Sequence, residues 1–413
     1  MVRRPADGGV ARRRSTGQVR ILAVLTCAAV SLVTSVEPAE SQTGSAARAP
    51  IEIMTLGDFA ASPQWPGALK ARISVVNARG GIRDATGERH EVEVVECDTS
   101  FDTAAADACA TRAVSEGVTA VVGMSVARGD EVWRRLEAAK IPVIGPRVNG
   151  PVDATSTVSF PVGAGIVGIF TAMPQLLARR GATTIGVVMS DFGDATPTTL
   201  AQLDAGLARS GAGGGPVVVV PLGVTNVEPY VRAAMSASAD GLVVIVEPSI
   251  QVAVLEGLHA AAYAGLSVVP LSAADRLISA LAAEADGTLV VSEFEPLIPR
   301  RSAPGLQRFR RDMLKHAPDL ELDEGAINFW LAGWVFERVA SGLRRIDAQT
   351  ILGAMEAVEA LDMGGVTPPL TTSGTTVELP RLFNPTVKLA RIRHGFVTPL
   401  SKQFFDPLSG TNR

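Results

Sequence analysis

The chain has 413 residues, 47% apolar and 19% charged, with a formal net charge of -4. That length suits two domains, each with its own core. The mild acidity, with no basic stretch interleaved with aromatics, argues against a nucleic-acid partner, and the apolar content argues against disorder.

The amino terminus reads as an export leader. Arg3, Arg4, Arg12 to Arg14 and Arg20 precede the apolar run 21–36, and Ala39-x-Ser41 supplies a small-residue cleavage site. The run is too short for a comfortable membrane span. Residues 1–41 are therefore expected to be a signal peptide, and the mature protein to work in the periplasm or at the outer face of the cell membrane. Cys27 lies in this run behind Thr26 rather than a small residue. A lipid anchor at Cys27, the sole membrane attachment considered, stays open beside the plain reading of a leader-core residue. Later apolar runs such as 217–224 and 241–247 are only of strand length.

From Ile51 the chain alternates β-branched apolar runs with amphipathic helical stretches. IEIMTLGDF (51–59) leads to a helix over 68–81, EVEVVECD (91–98) to one over 103–117, and TAVVG (119–123) to one over 128–140; IPVIG (141–145) is a further strand. Such alternation implies parallel strands with right-handed crossovers, and such sheets bind ligands beyond their strands' carboxyl ends. Cys97 at a strand end and Cys109 in the following helix are expected to form a disulfide, the alternative being two buried thiols. His90, His259, His316 and His394 show no ligand spacing, so no metal site is expected.

A second series starts after Pro161. Strands are expected at 183–191, 216–223, 241–247, 266–272 and 287–294, with helices at 197–211, 230–240 and 249–265 between them. Helices over 303–317 and 326–345 follow, then a Pro-, Thr- and Gly-rich tail ending in a hairpin signature at 384–400.

The motifs Asn77-Ala-Arg-Gly-Gly-Ile82, Ala120-Val-Val-Gly123, Ile141-Pro-Val-Ile-Gly-Pro146 and Asn384-Pro-Thr-Val stand in an order and spacing that resemble the type I periplasmic binding proteins. The branch is that of branched-chain amino acid (Leu/Ile/Val) receptors of ABC importers. The resemblance implies an α/β fold of two Rossmann-like lobes with parallel sheets joined by a three-crossover hinge. Lobe 1 is expected at 51–162 plus 294–366 and lobe 2 at 163–293 plus 367–413, with crossovers near Val162, Glu293 and Val366.

The same resemblance places ligand contacts on loops 123–127 and 146–149, with Ser125, Ala127 and Asn149 where the family presents amides and hydroxyls. Arg147 is either a bidentate carboxylate contact or a rim arginine. Trp65 and Phe192 match aromatic walls, or are ordinary packing. The acid that grips a ligand ammonium falls at 272–275, beside Ser272, but Ala273 occupies its slot, which puts an α-amino acid ligand in doubt.

The implied function is that of a non-catalytic, cofactor-free solute-binding protein, capturing a small polar or carboxylate-bearing solute for an ABC transporter permease. An extracellular sensor of the same fold is the alternative. Two motifs point to enzymes: Gly163-Ala-Gly-Ile-Val-Gly168 imitates a dinucleotide fingerprint, and Ser125 with Asp362 and His394 imitates a hydrolase triad.

Overall fold

The computed structural model describes residues 49–60, 62–126, 129–193, 195–235, 239–298, 302–373 and 378–412. The expected leader, Cys27 and Ala127 lie outside them.

The first layer is built from β1 (Ile51–Gly57), α1 (Gln64–Asn77), a ribbon of β2 (Ile82–Arg83) and β3 (Arg89–His90), β4 (Val92–Asp98), α2 (Thr103–Glu116), β5 (Ala120–Ser125), α3 (Asp130–Ala139), β6 (Val143–Pro146) and β7 (Ser159–Phe160). Its sheet is parallel throughout, in the order β4-β1-β5-β6-β7. Period-two alternation in β1 sends Ile51 and Ile53 to one core and Met54 and Leu56 to the other. The strands are apolar on both faces because helices cover both.

The chain then crosses to α4 (Gly165–Arg179), β8 (Thr184–Ser190), α5 (Ala195–Ser210), β9 (Gly213–Val220), α6 (Glu228–Met235), β10 (Gly241–Ile245), α7 (Gln251–Ala260), β11 (Leu266–Pro270), α8 (Leu271–Leu281) and β12 (Leu289–Ser292). It returns to the first layer for α9 (Pro304–His316), α10 (Glu324–Ala340) and α11 (Ala348–Glu356), and ends in β13 (Lys388–Arg393), β14 (Phe396–Pro399) and a small pair, β15 (Phe405–Asp406) and β16 (Thr411–Asn412). The second sheet runs β14-β13-β12-β11-β10-β8-β9, parallel from β9 to β12, with β13 and β14 antiparallel. This is the expected α/β architecture of two lobes, including the closing hairpin.

Local chemistry sets the element ends. Asp102 caps α2 by accepting from Ala105 N at 2.7 Å, and Gly117, at φ 66°, closes it. Cys97 and Cys109 are joined, with Cα atoms 5.8 Å apart; a closed loop of this length contributes about 3 kcal/mol by chain entropy. Residues 366–383 have no repeating pattern, and the described parts, 366–373 and 378–383, stay on the first layer. Leu370 pairs with Leu361, Thr372 Oγ1 donates to Met355 O at 2.7 Å, and Arg381 donates to Ala154 O and Ser159 O, each at 2.9 Å.

The buried helix α10 lies directly on β5 and β6 at two glycines. A Cβ on Gly123 (φ 72°) would sit 2.5 Å from Phe329 Cδ1, and one on Gly145 (φ 68°) 2.4 Å from Ala332 Cβ. Asn328 Nδ2 donates to Gly145 O at 2.8 Å between them. Gly117 shares the left-handed backbone but has nothing within 4 Å of a Cβ. In urea unfolding, Gly117→Ala should therefore cost about 1 kcal/mol, the backbone penalty alone. Gly145→Ala should cost more than about 2 kcal/mol, because overpacking adds to it. Equal costs would show that α10 yields freely.

Candidate functional site

The carboxyl ends of the first sheet supply the site's first side. Ser125 ends β5, and Arg147 and Asn149 follow β6. Asn149 Nδ2 donates to Ser125 Oγ at 3.2 Å. Asp153 holds this loop: its Oδ2 accepts from Asn149 N and Gly150 N, both at 2.8 Å, and its Oδ1 from Trp133 Nε1 at 2.9 Å. Burial nevertheless pushes the Asp153 carboxyl up to about 6.

Trp65, in the first turn of α1, donates Nε1 to the Asp323 carboxylate at 3.0 and 3.2 Å. Asp323 also caps α10 through Ala326 N at 2.7 Å and accepts from Gln64 at 2.8 Å. The indole fits because residue 325 is glycine; a Cβ there would lie 2.1 Å from Nε1. Trp65 packs on Phe329 with ring centroids 5.8 Å apart, and Phe59 meets Phe329 edge-on at the same distance.

The Arg147 guanidinium sits 5.2 Å from the Trp65 ring centroid, and Nη2 lies 3.3 Å from Glu293 Oε1. Glu293 lies just past β12 with its side chain 1% exposed, and its Oε2 accepts from Gly165 N, the first residue of α4, at 3.0 Å. Glu324 is buried beside it, accepting from Ser292 Oγ at 2.7 Å and Glu293 N at 3.1 Å. Two buried carboxylates thus stand side by side where the chain passes between the layers, and only Glu293 is paired with the guanidinium. Burial raises both; for Glu293 the Arg147 charge opposes that rise, whereas for Glu324 the Glu293 charge adds to it and carries the group to about 8.

The structure therefore brings together four residues read from the sequence, Trp65 with Arg147 and Ser125 with Asn149. The other two stand at the second sheet's carboxyl edge: Phe192 follows β8 and is 37% exposed, and Ser272 is exposed in the first turn of α8. Neither has a hydrogen bond or ring contact with the first group among the described residues. Ala273 is buried. Glu293 was visible in the sequence only as a crossover position, and Asp323 and Glu324 were not singled out. Their signal is an acidic residue closing an apolar strand and an acid pair opening a long apolar helix. A cavity of about 1130 Å³ adjoins the site on the first layer, lined by Thr103, Val126, Asp130 and Asn149 among others; Trp65 and Arg147 are not in its lining.

The enzyme-like motifs have other uses. A Cβ on Gly163 would lie 2.6 Å from Glu293 Oε2, and one on Gly168 3.0 Å from Pro385 O. These glycines thus admit the neighbouring crossings. Ser125 meets Asn149 rather than an imidazole; His394 lies 3.8 Å from Asp286, and Asp362 Oδ1 accepts from Gly364 N at 2.8 Å. Ser125, His394 and Asp362 thus each have other partners, and among the described residues they form no relay.

Residues 55–379 match the model of the periplasmic binding protein family, and the chain belongs to that family. Among curated proteins none matches. Solved structures share the fold at low identity. An extracellular ligand-binding receptor from Verminephrobacter eiseniae is 17% identical, with a TM-score of 0.68, 84% of this chain and 99% of that one covered. LivJ, the branched-chain amino acid transporter substrate-binding protein of Streptococcus pneumoniae, in complex with isoleucine, is 15% identical at 0.66, covering 84% and 97%. A solute-binding protein of an ABC transporter from R. palustris, in complex with benzoate, is 14% identical at 0.66, covering 85% and 96%. Among the described residues, no helix is long and apolar enough to cross a membrane.

The buried acids make stability depend on pH. Glu324 keeps its proton to higher pH in the folded chain than in the unfolded one, so the unfolded state is increasingly favoured as pH rises from the ordinary Glu range to about 8. Gln at 324 carries no such proton. The thermal midpoint of Glu324→Gln relative to wild type should therefore rise steadily between about pH 5 and about pH 8. A constant difference would mean that Glu324 is ionised in place.

Proposed function

We propose that this protein is the extracytoplasmic receptor of an ABC importer, capturing a small carboxylate-bearing solute between its lobes and passing it to the membrane permease. One observation carries the reading. Arg147 is held at the crossing by Trp65 and by one contact from Glu293 to one terminal nitrogen. No other acceptor takes its side chain among the described residues. A guanidinium has five N–H donors in a planar fork, so the fork keeps donors for a ligand carboxylate while Trp65 supplies an apolar wall. Ser125 and Asn149 add polar contacts from the adjoining loop, and Phe192 and Ser272 add theirs from the second sheet on closure. Fold relatives that hold isoleucine and benzoate are consistent with a carboxylate ligand.

In this reading the lobes are 51–162 with 294–383 and 163–293 with 388–412, which moves the third crossing from near Val366 to 384–387. The segment before it is bonded to the first layer through Arg381. Ligand contacts completed from both sides shift the population towards the closed form.

A thermal-shift screen tests this with benzoate, phenylacetate, isoleucine, valine, short aliphatic acids, amides and neutral sugars. A carboxylate at 100 times its Kd should add about 2.7 kcal/mol to stability. Arg147→Met should abolish that rise, and so should the Glu293→Gln, Arg147→Met double variant, whose ligand-free midpoint should be the higher of the two because it leaves no stranded Glu293 charge. Sugars or amides as the only hits, with Arg147→Met indifferent, would overturn it.

A further inference from the structure

The four histidines have no ligand spacing along the chain, but the β2–β3 ribbon changes this for His90. Ile82 lies opposite His90 and Arg83 opposite Arg89, so Asp84 falls opposite Glu88; Asp84 N donates to Glu88 O at 2.9 Å. Strand side chains alternate between faces. Asp84, Glu88 and His90 therefore share one face, and Arg83 and Arg89 take the other. One donor atom from each of the three lies within 4.8 Å of the others, and His90 Nε2 is 3.1 Å from Asp84 Oδ2.

The set is held on a stiff frame. Asp84 is buried, and its Oδ1 accepts from Thr86 N at 2.8 Å, Thr86 Oγ1 at 2.6 Å and Glu88 N at 3.0 Å. These bonds fix the carboxylate and leave Oδ2 facing the imidazole. The ribbon is clasped to the chain after α10, with Gly342 N on Arg83 O at 2.9 Å and Ala85 N on Leu343 O at 3.0 Å. A cavity of about 330 Å³ opens here, lined by Asp84, His90, Thr119 and Asp347. It gives an ion an entry path and room for water ligands. Arg344 and Arg345 also line it, but the Arg345 side chain is 81% exposed and pairs with Asp347 at 2.9 Å.

We propose that Asp84, Glu88 and His90 form a binding site for a divalent transition-metal ion of the zinc class, completed by water from this cavity. An imidazole with two carboxylates favours zinc over calcium, which prefers all-oxygen shells. Exposed Glu88 closes on the ion, whereas Asp84 and His90 are already aimed at it. The site stands at the amino-terminal edge of the first sheet, away from the cleft, and depends on nothing proposed there. A bound ion ties both strands of the ribbon together.

The test is zinc titration of the tag-free, chelator-stripped protein by calorimetry, with thermal unfolding in parallel. Wild type should take up one equivalent and gain midpoint, and calcium at the same concentration should do neither. His90→Ala should abolish the uptake, and Glu88→Gln should weaken it by at least about tenfold. His394→Ala, at the β13–β14 turn, should leave it unchanged. Because Glu88 is exposed, its variant reports on the site even if His90→Ala folds poorly. No stoichiometric uptake by wild type, or uptake indifferent to both changes, would overturn the proposal.

Discussion

The candidate site is organised around the carboxylate of Glu293. One of its oxygens takes the Gly165 amide at the start of α4, where the helix dipole is positive, and the other faces Arg147 from β6. Burying such a group costs several kcal/mol unless charge and hydrogen bonds offset it, so its partners cannot wander. Arg147 is thereby fixed over Trp65; Trp65 is fixed by Asp323, and Asp323 caps α10. The helix is seated in turn by Gly123 and Gly145 in the strands below. A buried acid, an indole and two glycines far apart in sequence thus form one mechanical chain.

Much of the scaffold was legible before the structure, because hydrophobic period and β-branched runs follow local physics. The strands 51–57, 184–190 and 241–245, the closing hairpin and the Cys97–Cys109 bond are of this kind. Residues 366–373 and 378–383 were not legible as part of the first layer. They carry no period, and the Leu361–Leu370 pairing, the burial of Val366 and Leu370 and hydrogen bonds to Met355, Ala154 and Ser159 hold them there.

The site divides the same way. The positions of Ser125, Arg147 and Asn149 at the first sheet's carboxyl ends could be read because parallel sheets present loops there, while their role as ligand contacts, like that of Trp65, is a proposal. Their contacts Glu293, Asp323 and Glu324 arrive from distant segments, and no spacing rule reports a pairing across 146 or 258 positions. His90 shows the limit at short range: six residues from Asp84, it meets that carboxylate through hairpin register rather than through a ligand motif.

The crossing beside the site is not a slack linker. Glu293 and Glu295 occupy alternate positions on one segment, with buried Phe294 between them. Glu295 holds Lys388 at 2.7 Å, and that ammonium, 2% exposed, also donates to Lys402 O at 2.7 Å and lies 4.3 Å from the Phe404 ring. Glu295 N donates to Val366 O at 2.9 Å. Each acid therefore pins this segment to a different part of the chain, Glu293 to the loop after β6 and to α4, Glu295 to β13. Opening the lobes by breaking either pair would strand a buried charge, at a cost of about 3–5 kcal/mol. That is comparable to the whole free-energy gap between two conformations a ligand can select. The proposed closure accordingly turns about residues 293–295, with both pairs and the Gly165–Glu293 bond kept, and the bending falls on the neighbouring crossings at 160–164 and 384–387, which carry no charged residue.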